Sequence, residues 1–266
     1  MLMRAVQKVA HKFGYELVKQ SQVNRATFSD YPCIDLLDLL MQNYVQTQPN
    51  VTFLQIGAHD GISADPASQQ IRKHPQWRGI LVEPQPISFQ QLLKNYEGED
   101  RFIFENLAIG SENGTLPFYT VREDIPDLPF WLPQSASFDR EHVLGALHYW
   151  KHVRQFDNIP DDLESVIVEV QVPTMTIRPL LAKHQVQQLD MLVMATPGFD
   201  YQLIKSFPFE LMKPSIICFE YFTLSPEDRE ASLRLLAELG YSVGRFAVRA
   251  VAALNAPTLK WTISEF

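Results

Sequence analysis

Apolar and polar positions along the chain alternate between two periods. Between residues 33 and 48, Ile34, Leu37, Met41, Tyr44 and Val45 fall on one stripe at helical spacing, and Pro49-Asn50 ends the run. The next six residues, Val51 to Ile56, are mostly apolar and stop at Gly57, as in a strand buried on both faces. Asp65-Pro66 pairs an N-cap residue with proline at the first helical position. Gly79-Ile80-Leu81-Val82 predicts a second buried strand, ending in Glu83-Pro84. Pro86 opens a helix through Phe89, Leu92 and Leu93 that closes near Gly98. Phe102-Ile103-Phe104 begins a third strand, and Asn113-Gly114 predicts a hairpin returning over 116–121. Further strands are expected over 166–172, 191–195 and 215–220, with helices over 177–184 and 199–207. Ser225-Pro226 caps a helix to Leu239, stopped by Gly240, and a strand pair over 241–248 and 251–254 closes the chain.

Strands alternating with helices predict βαβ units. The expected fold is α/β, a mainly parallel sheet with helices on both faces and an antiparallel edge. Residues 122–160 interrupt the alternation. There Pro126, Pro129 and Pro133 lie among Phe130, Trp131, Phe138, Tyr149 and Trp150, as in an irregular insertion ending in a helix over 139–155. Residues 1–32 read as a helical arm and polar linker, and 33–266 as one domain of the size usual for single α/β domains.

The net charge of -8 gives no electrostatic footprint for phosphate backbones, so no nucleic-acid partner is expected. No apolar run reaches the roughly 18–20 residues of a membrane span. Arg4, Lys8, His11 and Lys12 break up the N-terminal apolar residues, so no signal peptide is expected. Cys33 and Cys218 are distant from each other and sit in apolar surroundings. They offer neither metal spacing nor a disulfide framework, and a reducing, cytoplasmic setting is expected. Nothing in the pattern fixes an oligomeric state.

In an open α/β sheet, ligands bind at the carboxyl ends of the strands. Gln55-Ile-Gly57-Ala58-His59-Asp60-Gly61 stands there, after the first strand. Gly57 permits a tight turn and Gly61 a close backbone approach. Glu83 ends the second strand roughly 20 residues on, where an acid can accept hydrogen bonds from both ribose hydroxyls. These features suit a nucleoside-containing cofactor. The expected middle glycine of the dinucleotide fingerprint is His59, and no amide cluster opens a regular helix directly after Gly61. S-adenosylmethionine, with no pyrophosphate and a cationic sulfonium, fits Asp60 and Glu83 better than a nicotinamide dinucleotide does. Bland alternatives stay open: a purely structural turn, His59 as a polar turn residue, and Asp60 as a helix cap.

Several longer motifs then point to a family. Phe53 to Gly61, Arg78 to Pro84 and Glu105-Asn106-Leu-Ala-Ile-Gly110 closely resemble the FkbM-type methyltransferases. So do Ser137-Phe138-Asp139, Val172-Pro173-Thr174, the stretch from Leu189 to Asp200, and Pro214 to Glu220. The resemblance implies a Rossmann-like class I fold with a seven-stranded sheet. It implies S-adenosylmethionine as donor and O-methylation of a small-molecule or carbohydrate hydroxyl. Carried over by motif, Gln55, Gly57, Ala58, Asp60 and Gly61 belong to the cofactor site, the last four lining its methionine part. Glu83 would hold the ribose, and Asn106 would lie near the adenine.

One stretch departs from that family. Its fourth strand runs into Asp-Thr-Glu-Gly-Phe-Asp, whereas this chain has Ala195-Thr196-Pro197-Gly198-Phe199-Asp200. Both family carboxylates are missing where the methyl group would be transferred. Transfer to a hydroxyl needs in-line alignment and removal of a proton. Ala195 and Pro197 supply no group for either task. Glu220, His59, Asp200 and His142 are the candidate replacement bases. Asp200 could instead cap the following helix, and Glu220 could merely orient a loop. If none serves, the chain is a catalytically impaired protein that still binds the cofactor. His148 and His152 share one helix face without an accompanying carboxylate motif, so no metal site is expected. Phe130, Trp131 and Trp150 could form a lid over a sugar ring or fill a satellite core. Asp161-Asp162-Leu163-Glu164 reads as a solvated loop.

Overall fold

The computed structural model describes residues 36–63, 65–122, 125, 128, 132–246 and 248–254. The proposed arm at 1–32, Cys33, Pro126, Pro129, Phe130 and Trp131 lie outside them.

The described residues open with helix α1 (Leu36–Thr47) and strand β1 (Thr52–Ile56). Helix α2 (Ser68–Lys73), strand β2 (Arg78–Val82), helix α3 (Pro86–Asn95) and strand β3 (Phe102–Glu105) follow. The later strands β7 (Met191–Met194), β8 (Ile216–Glu220), β9 (Tyr241–Phe246) and β10 (Arg249–Leu254) complete a seven-stranded sheet. Its order is β3-β2-β1-β7-β8-β10-β9. All neighbours run parallel except β10, which is antiparallel to both β8 and β9. This is the mainly parallel sheet with an antiparallel edge that the alternation predicted, and the class I arrangement that the family resemblance implies.

Strand residues divide strictly between the two faces, because successive side chains point to opposite sides. Leu54, Ile56, Ile80, Val82, Leu192, Met194, Ile217 and Phe219 form one core. It is covered by helices α5 (Ile177–Lys183), α6 (Asp200–Ser206) and α7 (Pro226–Glu238), which contribute Leu180, Leu203 and Leu236. Phe53, Leu81, Met191, Val193, Ile216 and Cys218 form the other, under Leu37, Met41, Ile71 and Leu92 of α1, α2 and α3. Burial on both faces explains why the strands read as apolar runs rather than as alternating patterns. At the base, Asp190 accepts from the Tyr44 hydroxyl at 2.9 Å and from Thr52 N at 2.8 Å, fastening α1 beneath β1.

The segment between β3 and β7 corrects one expectation. Asn113-Gly114 does not fold β5 (Gly114–Val121) back onto β3. Strand β5 pairs antiparallel with β6 (Ile167–Met175), which pairs in parallel with the short β4 (Ala108–Ile109). These three form a separate sheet. The Asn113 side chain is engaged elsewhere, accepting from Thr176 N at 2.8 Å. The expected strand over 166–172 therefore exists but lies outside the main sheet. Helix α4 (Arg140–His148) is capped by Asp139, which accepts from Glu141 N, and passes into a π-helical turn at Tyr149–Val153. Val143 and Leu147 bury a satellite core with Val121, Leu132, Ile159 and Val166, against which Trp150 packs. Of the two roles open to Trp150, the structure gives it the packing one. No described helix is long and apolar enough to cross a membrane.

Candidate functional site

The strand order reverses between β1 and β7, and a cavity open at its mouth lies over the carboxyl ends of the strands there. Gln55, Gly57, Ala58 and His59 line it from the end of β1, Glu83 from β2, and Ala195, Thr196 and Pro197 from β7. Glu220 of β8 and Arg249 of β10 complete this floor. The second sheet and the stretch from 134 to 138 form a roof through Ala108, Phe118, Ala136 and Phe138. The Phe138 ring packs on Phe118 at 5.1 Å and on Phe199 at 5.2 Å between centroids, giving that side an aromatic wall.

The turn after β1 is held tightly. Gly57 N and Ala58 N both donate to the Val82 carbonyl, at 2.9 and 3.0 Å. Gly57 has φ +78°, and a Cβ there would stand 2.2 Å from the Ala195 carbonyl oxygen. Only glycine lets the ends of β1 and β7 approach so closely. Glu83 is buried, and its two oxygens accept from His59 N at 2.8 Å and Gln85 N at 2.9 Å. Burial pushes its carboxyl up to about 7 against those bonds. Each carboxylate oxygen has a second acceptor position, so a ligand hydroxyl can still be served.

Three residues carried over by motif are placed differently. The Asp60 carboxylate does not line the cavity. It accepts from Ile62 N, Ser63 N and Ser63 Oγ within its own turn. Burial works against its charge, but these bonds outweigh it and hold the acid below its ordinary value. Asp60 therefore closes its own turn and caps no helix, since the next one starts at Ser68. Gly61 faces α3, where a Cβ would meet Tyr96 and Leu92, so its need is packing rather than approach to a ligand. Asn106 is exposed outside the cavity and donates to the Glu83 and Pro84 carbonyls at 2.8 and 3.2 Å, steadying the end of β2.

The candidate bases also separate. Asp200 is fully buried and outside the cavity lining. It accepts from Thr196 N at 2.9 Å, from the Thr196 hydroxyl, and from Glu220 N at 2.6 Å. Its side chain ties the ends of β7 and β8 together, away from the cavity lining. Burial, and then the charge of Glu220, raise its carboxyl to about 7. His142 packs against Gly198, also outside the lining, and burial lowers its pKa. His59, at φ +48°, lines the cavity with Nδ1 3.3 Å from Gln134 Nε2. Glu220 lines it too. Burial raises the Glu220 pKa, and Arg249 draws it back. The His148 and His152 rings stand 4.5 Å apart, but among the described residues no group of three metal-ligating side chains exists.

One residue absent from the motif reading stands out. Asp65 lines the cavity, accepts from Ala67 N and Ser68 N at the start of α2, and takes Gln55 Nε2 at 2.8 Å. The Asp-Pro pair marked it as a cap, but nothing local showed that it also faces the cavity.

Residues 55–243 match the family model of the methyltransferase FkbM domain. The chain belongs to the FkbM methyltransferase family. No curated protein matches it. Among solved structures it is similar to an FkbM methyltransferase from Methylobacillus flagellatus KT, at 13% identity and a TM-score of 0.47, over 77% of this chain. The chain covers 44% of that protein's length. It is also similar to an O-methyltransferase from Bacillus cereus in complex with SAH, at 13% identity and TM-score 0.40, over 94% of this chain and 97% of that one. A third is Aeropyrum pernix fibrillarin with bound S-adenosyl-L-methionine, at 12% identity and TM-score 0.38, over 77% and 66%. Ala195 and Pro197 stand on the cavity floor.

Proposed function

We propose that the cavity takes S-adenosylmethionine and that the chain methylates a hydroxyl of a small, sugar-like acceptor. The observation that carries this reading is the convergence of Gly57 and buried Glu83 on one cavity at the strand switch point. The side chains fit such a ligand. Glu83 has acceptor positions left for ribose hydroxyls, and Gln55 Oε1 is buried beside the cavity with no donor in the structure. Bound there, the cofactor would supply an electrophilic methyl group on sulfur. Family membership favours this donor over a nicotinamide.

Glu220 is the acid suited to take the acceptor's proton. Its carboxylate faces the cavity, and burial raises its pKa toward the range where a general base works best. His59 is the second candidate. The aromatic wall of Phe118, Phe138 and Phe199 suits the face of a sugar ring and excludes water.

Calorimetry with S-adenosylhomocysteine tests the cofactor reading, and methyl release with a pool of small hydroxylated acceptors tests the chemistry. Micromolar binding is expected; no binding at millimolar ligand overturns the reading. Glu220→Gln is expected to slow methyl release about 100-fold with unchanged S-adenosylhomocysteine affinity. A full rate in that variant removes Glu220 from the mechanism.

A second reading has its own observation. Ala195 and Pro197 leave the β7 wall without a carboxylate, as in a protein that binds the cofactor but transfers nothing. Binding without methyl release, restored by Ala195→Asp together with Pro197→Glu, is the outcome expected under that reading.

A further inference from the structure

Outside the cavity, the insertion carries a pair of histidines that nothing in the proposed chemistry uses. His148 is the last residue of α4, and His152 belongs to the π-helical turn that follows it. Both are exposed, and neither lines the cavity. Their ring centres stand 4.5 Å apart, with the planes tilted by 50°. A four-residue step along a regular α-helix already brings two side chains onto one face. The turn here is wider than that, with Arg154 N donating to the Tyr149 carbonyl at 3.0 Å. Turns of this kind are rare and frequently stand at functional sites. Trp150 packs from this one onto the satellite core, while none of its residues is buried.

The surroundings suit a bound cation. Lys151 lies between the two histidines in sequence, and its charge is already answered. It pairs with Asp161 at 2.8 Å and donates to the Ile159 carbonyl. The Asp161 carboxyl is held below its ordinary value by Lys151 first and by His152 as well, so a carboxylate stands close enough to His152 to feel its charge. Ahead of His148, a Cβ on Gly145 would meet nothing within 4 Å, so that side is open. An imidazole nitrogen sits about 2.0–2.1 Å from a zinc-type ion, which puts the centres of two rings sharing that ion roughly 4.5–5 Å apart. The observed spacing falls in this range, and exposed rings can turn about their side-chain bonds to aim one nitrogen each. Among the described residues no group of three ligating side chains exists, which argues against a closed site. It does not argue against two ligands with water on the remaining positions.

We propose that His148 and His152 chelate a divalent transition-metal ion of the zinc, nickel and copper class, with water completing its coordination. Imidazole nitrogen selects that class over magnesium and calcium, which take oxygen ligands. The ion would tie the end of α4 to the π turn and so hold Trp150 on the satellite core. The site is independent of the cofactor reading, since neither histidine lines the cavity.

Calorimetry of the full chain with Zn²⁺ and with Ni²⁺ tests it, with Mg²⁺ as the control. One equivalent of Zn²⁺ or Ni²⁺ is expected to bind in the micromolar range, with no heat from Mg²⁺. His148→Ala and His152→Ala are each expected to weaken binding about tenfold or more. Both side chains are exposed, so neither substitution empties a core. With one equivalent of Cu²⁺, electron paramagnetic resonance is expected to show nitrogen couplings from two imidazoles, falling to one in either variant. Binding that is unchanged in both variants overturns the assignment, as does Mg²⁺ binding of equal strength. No binding at about 1 mM Ni²⁺ overturns it as well.

Discussion

The two walls of the cavity answer their polar groups in different ways. At the β1–β2 wall, Glu83 accepts one backbone N–H per oxygen and still faces the cavity. At the β7–β8 wall, Asp200 is turned inward and consumed by Thr196 and Glu220 N. Both acids are buried and raised to about 7, yet only one can meet a ligand. A perturbed pKa therefore marks burial on both walls, and orientation alone separates a binding group from a girder.

The contrast can be broken by substitution, from the largest effect to the smallest. Gly57→Ala forces a Cβ onto the Ala195 carbonyl at positive φ, where both walls meet. It is expected to cost about 3–5 kcal/mol and lower Tm by roughly 10 °C in a thermal melt. Asp200→Ala leaves the Thr196 and Glu220 N–H groups without an acceptor. A loss of about 2–4 kcal/mol in denaturant unfolding is expected; an unchanged midpoint would remove its structural role. Glu83→Gln is expected to leave most of the stability but weaken S-adenosylhomocysteine roughly 10–100-fold by calorimetry.

The same contrast predicts a pH dependence. Glu83 and Asp200 titrate near 7 in the fold, above ordinary carboxylates in the unfolded chain. The folded state thus binds more protons between about pH 4 and 7, and their contribution to stability is lost as pH rises through about 7. Tm is expected to fall across that window, and Asp200→Asn to flatten part of the slope.

Much of the fold was legible because burial of both sheet faces writes itself as apolar runs, and caps such as Ser225 write themselves locally. Ser225 Oγ does accept from Asp228 N at 3.1 Å. Gly57 and Glu83 were legible for the same reason: each ends a strand, and strand ends define the cavity. Asp60, Gly61 and Asp200 were not. Their motif positions say that they are near a ligand, but a neighbouring N–H or ring decides where each one faces. Asn113-Gly114 misled because a turn signal names the bend and not the strand that will pair with it. Asp65 was read only as a cap, since nothing adjacent in sequence reveals that Gln55 bonds to it and that both line the cavity.

The small sheet of β4, β5 and β6 has a further consequence. It is spliced between the third strand and the strand that follows in the main sheet, yet it shares no ladder with either. The canopy over the cavity can therefore change its lining without shifting any hydrogen-bond register in the floor beneath. Under the proposed function, the choice of acceptor can change by rewriting that canopy while the floor proposed to hold the nucleoside stays fixed.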